Sequence, residues 1–433
     1  MAKGWLYPWA IGSIAFGGAS LLVPLYVVEL GGDAFDLGIL AAVAAFVGVP
    51  GAIVVGRRAG ETGRRRPYVL LALVLVGLML MVFPSVDAIW LVIVVNGVIW
   101  FAFAAVMPVL TLLAVTDTPA YAWGERIALL NKYQGIGWAL GLLLGAVWTA
   151  LAGRYVTDIE AIKLFFYFVG GLSIFGFVIG IRLFPADIAS SESISKAKFR
   201  TALRMSDKFN VRAVTYPLTL PRIVFTGFDP RRFKERFTPT LALYFIALVA
   251  VFTGFAAFFA PLPAFLTDIG FSSDQIFLLY LVSSVASAVS FGLVGRLAKK
   301  RDIAVLQSTG LVIRGLAFPA VGLVGIIFAA DMLGLTLFSV LFAIIGITWA
   351  IITITAGTIV TILSPIAIRG ESLGMYAALT VFAGGVGAIL GGWIGAIDYF
   401  LGFAFAGVLI VIGAIVVFNL RGHNMRPGEG STI

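Results

Sequence analysis

Residues 54–69 read VVGRRAGETGRRRPYV, five arginines and three glycines set between two runs almost without charge. Such a stretch suits a phosphate cradle, a nucleic-acid patch, or a basic turn joining two membrane helices. A phosphate loop needs a lysine and a hydroxyl behind its last glycine, and Gly63 is followed by arginines instead. The segments on either side decide between the other two.

The 433-residue chain is 61% hydrophobic and 12% charged, with a mean hydropathy of +1.07. Soluble domains carry roughly 25% charge, so this composition leaves too little polar surface for water. The formal charge of +9 would point to nucleic acid in a soluble chain. Here the positive charge is confined to loops and one tail, which membrane topology explains and nucleic acid does not. There is no cysteine, and the single histidine, His423, lies in the polar C-terminal tail. Thiolate and histidine metal sites, and histidine-based catalysis, are therefore excluded, and neither cofactor nor metal is expected.

A helix needs about 20 mainly apolar residues to cross the hydrocarbon. Windows of that kind fall at 5–30, 36–56, 67–85, 88–115, 122–151, 160–184, 239–266, 273–295, 303–329, 333–363, 371–397 and 400–420. They are too long for barrel strands, and only helices satisfy their own backbone over such lengths in lipid. The expected class is an all-α polytopic membrane protein of twelve spans. The first window is too long for a signal-peptide core and reads as a retained span. With the N-terminus inside, Lys3, the arginines of 57–66, Arg126, Arg182, Arg296, Lys299, Lys300, Arg301, Arg369, Arg421 and Arg426 are cytoplasmic, and Arg154 and Lys163 are left outside. This bias places both termini in the cytoplasm and the chain in the cell membrane. The expected units are a six-helix bundle over 1–184, a basic linker with amphipathic helices over 185–238, a second bundle over 239–420 and a tail over 421–433. The linker's Phe228, Phe233 and Phe237, interleaved with arginine and lysine, suit the anionic inner leaflet.

The two halves repeat. Trp100 of span four matches Trp349 of span ten at an offset of 249. Gly124, Gly135, Gly137, Gly141 and Gly145 of span five match Gly374, Gly385, Gly387, Gly391 and Gly395 of span eleven at 250. PLYVVELG at 24–31 parallels PLPAFLTDIG at 261–270, and VGRRA at 55–59 parallels VGRLA at 294–298. Gly137, Gly141, Gly145, Gly387, Gly391 and Gly395 read first as helix-packing positions, since small residues at every fourth place let helices approach.

A repeated six-span unit with a basic, glycine-bearing turn after spans two and eight resembles the major facilitator superfamily. Its turn motif runs roughly G-x-x-x-D-R-x-G-R-R, and Gly56, Gly63, Arg64 and Arg65 stand at matching positions. Gly60 occupies the usual Asp position and Glu61 the usual Arg position, so the acid is displaced by one. The resemblance implies a major-facilitator fold of two pseudo-symmetric six-helix bundles and a cytoplasmic gate at these residues. It also implies a substrate site between the halves. The span-five ladder resembles the family's exporter signature without its closing Gly-Pro step.

Candidate cavity residues are Asn96, Trp100, Asn131, Lys132, Gln134, Tyr280, Arg314, Trp349, Thr353, Tyr376 and Thr380. By helical rise Lys132 lies roughly 12 Å inside its span, where it either faces a cavity or snorkels to the inner surface. Arg314 is near the middle of span nine, so it either meets substrate or pairs structurally. No Asp or Glu stands near the middle of any window. Two cavity cations without a deep acid suit an anionic or zwitterionic solute.

The leading expectation is a secondary transporter, with no enzymatic site, that exports amphipathic or anionic compounds by alternating access. An uncoupled facilitator or lipid flippase is the second reading, and a membrane sensor or embedded enzyme a remote third. The expected partners are a small-molecule substrate, the lipid bilayer and a proton or other coupling ion. No nucleic acid is expected, and the chain is read as a monomer.

Overall fold

The computed structural model describes residues 3–115, 123–185, 238–298, 300–328, 331–365 and 368–422. The linker expected at 185–238, apart from its two end residues, and the tail beyond Gly422 lie outside the described residues. Among the described residues, twelve helices are long and apolar enough to cross a membrane. In chain order the spans are Leu6–Glu29, Ala34–Gly56, Arg66–Ser85, Ile89–Val115, Leu129–Ala152, Asp158–Leu183, Pro239–Asp268, Ser273–Ala298, Ile303–Ile327, Met332–Leu363, Ser372–Ile397 and Tyr399–Asn419. We call the side where span one begins and span twelve ends the terminus face, and the other side the far face.

Acids sit at helix starts for a local reason. The first backbone N–H groups of a helix have no partner within it, and a side-chain oxygen just ahead can accept from them. Asp36 N donates to Asp33 Oδ1 at 3.0 Å, and Asp33 N donates back to Asp36 Oδ2 at 3.2 Å, starting span two. Thr157 with Glu160 does the same for span six. Asp331 accepts from Gly334 N at 2.6 Å for span ten, and Asp398 accepts from Leu401 N at 2.8 Å for span twelve. These four even-numbered spans all begin on the far face, and Asp302 caps span nine in the same way on the terminus face.

Two elements differ from the sequence expectation. The second apolar window ends at 56, yet its helix continues as Ala34–Thr62, so Arg57 and Arg58 ride on helix rather than in the turn. Backbone bonding does not stop where apolarity stops. The stop comes at Gly63, whose φ of 68° only glycine adopts easily. The turn proper is thus Gly63–Arg65, and span three restarts with Pro67 in its first turn. Span seven is broken into helices Pro239–Phe259 and Leu262–Asp268, with Pro261 and Pro263 at the break, where proline removes a donor and crowds the preceding turn.

The sequence repeat is a structural repeat. Gly32 N donates to Val27 O at 2.9 Å, and Phe271 N donates to Leu266 O at 3.0 Å, the same turn bond at an offset of 239. Gly31 (φ 85°) and Gly270 (φ 96°) make the matching left-handed turns. Within the first half span one packs on five and six, two on four, and three on four and six. Within the second, seven packs on eleven and twelve, eight on ten, and nine on ten and twelve. Each pairing in one half has its counterpart in the other. The halves themselves meet along two seams, spans two with eleven and spans five with eight. Both bundles are filled with apolar side chains and aromatic stacks, such as Phe83 on Phe166 at 4.6 Å and Phe258 on Phe318 at 3.7 Å between ring centroids.

Candidate substrate site

Span five brings its ladder against span one by backbone contact. A Cβ at Gly137 would collide with Ala10 O, and one at Gly141 with Ile14 O. In the second half a Cβ at Gly387 would collide with Thr253 O, and one at Gly391 with Ala257 O. Beside the ladders, Trp138 is buried in the bundle interior, whereas Ile136, Leu140 and Trp393 are exposed on the outer surface.

In the first half Trp138 therefore meets span four. Its ring centroid is 6.5 Å from Trp100 and 6.0 Å from Phe103. Phe103 also contacts Phe16 at 4.3 Å and stacks with Trp9 at 6.1 Å. Asn96, Asn131, Gln134 and Thr380 are buried, Trp100, Thr353 and Tyr376 are half-buried, and Lys132 is exposed. Gln134 Oε1, Trp9 Nε1 and Trp138 Nε1 have no hydrogen-bond partner among the described residues. Three polar groups beside one aromatic nest are thus left without the partners that buried groups normally have.

In the second half Arg314 is the centre. Only 2% of its surface is exposed. Its guanidinium carbon lies 4.5 Å from the ring centre of Phe255, 5.4 Å from Phe318 and Trp349, and 5.5 Å from Phe259. Nη1 donates to Ile345 O at 2.9 Å and to Thr348 Oγ1 at 3.4 Å, whereas Nε has no partner. Among the described residues no carboxylate bonds it, so the charge is held by ring faces and one helix carbonyl. Each desolvated cation–π contact contributes about 2 kcal/mol, against about 2.5–3.5 kcal/mol for inserting an arginine at mid-membrane. The cage is thus the right size to hold an unneutralised cation between spans seven, nine and ten.

The aromatic chain continues from the cage. Trp349 meets Phe255 edge-on at 5.9 Å, Phe255 meets Phe252 at 5.3 Å, and Phe252 meets Tyr376 at 6.3 Å. Thr353 Oγ1 donates to Trp349 O at 2.8 Å and Thr380 Oγ1 to Ala377 O at 2.8 Å, so both hydroxyls are turned to their own helices. Tyr280 is edge-on to Phe342 at 5.6 Å. The structure thus groups Trp100 with Trp138, and Arg314 with Trp349 and, through Phe252, Tyr376. Sequence reading had missed Trp9, Phe103, Trp138, Phe252, Phe255, Phe259 and Phe318. The spacing of Phe252, Phe255 and Phe259 on one helical face was the one available signal.

At the turn after span two, a Cβ at Gly56 would stand 3.0 Å from Pro108 Cβ of span four. Gly60 and Glu61 lie in the last helical turns, and the Glu61 side chain is outside the described residues. Arg64 is exposed and Arg65 is 6% exposed. Arg66 Nη2 donates to Ile181 O, tying the start of span three to the end of span six.

The profile of the Major Facilitator Superfamily matches residues 8–376. No protein of curated function matches at the sequence level. Among solved structures, a bacterial homologue of the human lysosomal transporter Spinster, inward-facing and occupied, is similar with a TM-score of 0.70 at 13% identity, over 96% of this chain and 95% of that one. The nucleoside transporter NupG is similar with a TM-score of 0.66 at 14% identity, over 97% of this chain and 96% of that one. A shared turn, a doubled six-helix unit, paired seams and this match over most of the length lead to one conclusion: the chain belongs to the Major Facilitator Superfamily and is a secondary membrane transporter, not an enzyme.

Proposed function

We propose that this transporter exports small amphipathic or anionic organic solutes across the cell membrane, with both termini in the cytoplasm. Residues 1–184 and 239–420 are the two moving bundles, 185–238 is a cytoplasmic linker and 421–433 a cytoplasmic tail. The chain works as a monomer. The solute binds between the halves, against Asn96, Trp100, Asn131, Lys132 and Gln134 on one side and Tyr280, Arg314, Trp349, Thr353, Tyr376 and Thr380 on the other. The turn at Gly56, Gly60, Glu61, Gly63, Arg64 and Arg65 gates the cytoplasmic side.

The observation that carries this reading is the caged Arg314, a buried positive charge with no bonded carboxylate among the described residues. In a low-dielectric interior its field reaches past the Trp349 ring and favours an anion in the cleft. The rings of Trp100, Trp349 and Tyr376 suit a solute with a flat apolar part, and one similar structure is a nucleoside transporter. A thermal-shift screen of small organic anions with purified protein supplies a ligand, and liposome transport then tests it. Transport is expected to fall in both Lys132→Ala and Arg314→Met, and insensitivity to both would sink the anionic reading.

A second reading, an uncoupled facilitator or lipid flippase, is favoured by the absence of any acid in the middle of a span. Liposomes with and without a pH gradient separate the two, since a proton-coupled exporter concentrates its solute only with the gradient.

A further inference from the structure

Unmet polar groups in a membrane interior mark what a ligand must bring, because buried donors and acceptors normally find partners. Three stand on the side of the cleft made by spans five and eight. Gln134 Oε1 and Trp138 Nε1 of span five and Ser287 Oγ of span eight have no hydrogen-bond partner among the described residues. All three side chains are buried, Ser287 completely. The neighbouring serines differ: Ser284 donates to Tyr280 O at 2.7 Å and Ser290 to Ala286 O at 2.7 Å, each turned back to its own helix.

The packing brings Gln134 and Ser287 to one level from opposite halves. Spans five and eight run in opposite directions, and the ring of Phe277 on Gly145 fixes their register. Gln134 is eleven residues before Gly145 and Ser287 ten after Phe277. Both positions therefore lie roughly 15 Å from that contact, toward the terminus face. Eleven residues complete about three turns, which keeps Gln134 on the face that Gly145 turns to span eight. Ser287 is rotated toward span ten, where the carbonyl of Ser283 occupies the place a Cβ of Gly346 would take. It stands between spans five and ten, on the cleft side. Spans eight and ten run in the same direction, so Trp349, three residues past Gly346, is level with Ser287, four past Ser283. Arg314 holds Ile345 O, next to Gly346. The caged charge, the Trp349 ring and the unmet pair are at neighbouring depths.

We propose that Gln134 and Ser287 form a clip across the two halves for one neutral group of the solute that both donates and accepts, a hydroxyl or a carboxamide. The clip presupposes the anionic reading above and narrows it, to organic anions that carry such a group away from the charge. A hydroxyl donates its proton to Gln134 Oε1 and accepts from Ser287 Oγ, so a single atom meets both. A carboxylate or an ether only accepts, and would leave Gln134 Oε1 facing another oxygen. Such a site discriminates, because a solute without the group leaves buried atoms unpaired.

Three flat probes test this by calorimetric titration of the purified full chain in detergent: 2-naphthoate, 6-hydroxy-2-naphthoate and 6-methoxy-2-naphthoate. The hydroxy compound is expected to bind roughly tenfold more tightly than 2-naphthoate, and the methoxy compound, which has lost the donor, no more tightly. In Ser287→Ala and Gln134→Leu the ratio of the first two affinities falls toward one. Each variant's own 2-naphthoate affinity is the reference, so a general loosening of the cleft does not move the ratio. Ser290→Ala, at a hydroxyl already bonded to its own helix, keeps the wild-type ratio. Equal binding of the hydroxy compound and 2-naphthoate by the wild type, or a ratio that survives in both clip variants or collapses in Ser290→Ala, overturns the clip and leaves the anionic reading standing. Binding of none of the three removes the anionic reading itself, and the clip with it.

Discussion

The two seams between the halves occupy equivalent places and are built differently. At spans two and eleven, Gly38 lies on Gly392, backbone to backbone. At spans five and eight, the position equivalent to Gly38 at the 239-residue offset is Phe277, and its ring presses on Gly145. A Cβ at Gly145 would stand 2.6 Å from Phe277 Cδ1, and the same ring meets Phe165 edge-on at 6.3 Å. At its far-face end the first seam is thus a flat contact with no room for an added atom, although further along the same seam a ring of its own, Phe46, lies on Gly385. The other is a ring in a socket, adjustable by rotation of the ring. Pseudo-symmetry of the backbone does not require symmetry of the contact, and one joint can close tightly while the other stays compliant.

The sharpest way to break the comparison is Phe277→Ala. The ring is fully buried, so its loss should lower stability by about 3–5 kcal/mol, read as a drop in melting temperature. A loss near zero would mean that the socket carries no packing energy. Next, Gly141→Ala should destabilise by about 1–3 kcal/mol, read as a lower melting temperature, because its clash is with the backbone of span one. An unchanged melting temperature in that variant would mean that span five is not held backbone to backbone against span one. Thr157→Ala, which removes the cap of span six, should reduce stability by about 1 kcal/mol and affect neither seam. The smallest change is expected at Gly171→Ala, a gain of up to about 1 kcal/mol from helix propensity alone.

Much of this architecture is legible in the chain. Spans are compositional, and lipid forces helix on any long apolar run, so the twelve windows match the twelve helices to within a few residues. The repeat is legible because Gly31 and Gly270, or Trp100 and Trp349, survive in register. Less legible is what each small or aromatic residue faces. Gly38 and Gly392 look like any other glycines in apolar runs, since only the packing of the halves sets them together. The Arg314 cage is hidden for a related reason. A mid-span arginine suggests a carboxylate partner, but neutral ring faces from three spans surround it instead, and phenylalanines facing lipid and facing a cation look alike in sequence. The end of helix Ala34–Thr62 was missed because polarity was taken for a break, when only Gly63 provides one.

The Arg314 cage also bears on how the protein is made. Phe255 and Phe259 are synthesised before the arginine and Phe318 just after it, but Trp349, Thr348 and the carbonyl of Ile345 arrive only with the following span. Before span ten is made the charge of span nine is therefore incompletely clothed, although the span keeps a mean hydropathy of 2.0 with Arg314 included. The order of synthesis predicts that the cage is completed last by span ten, so a chain truncated before Trp349 is expected to insert span nine less efficiently than the full chain.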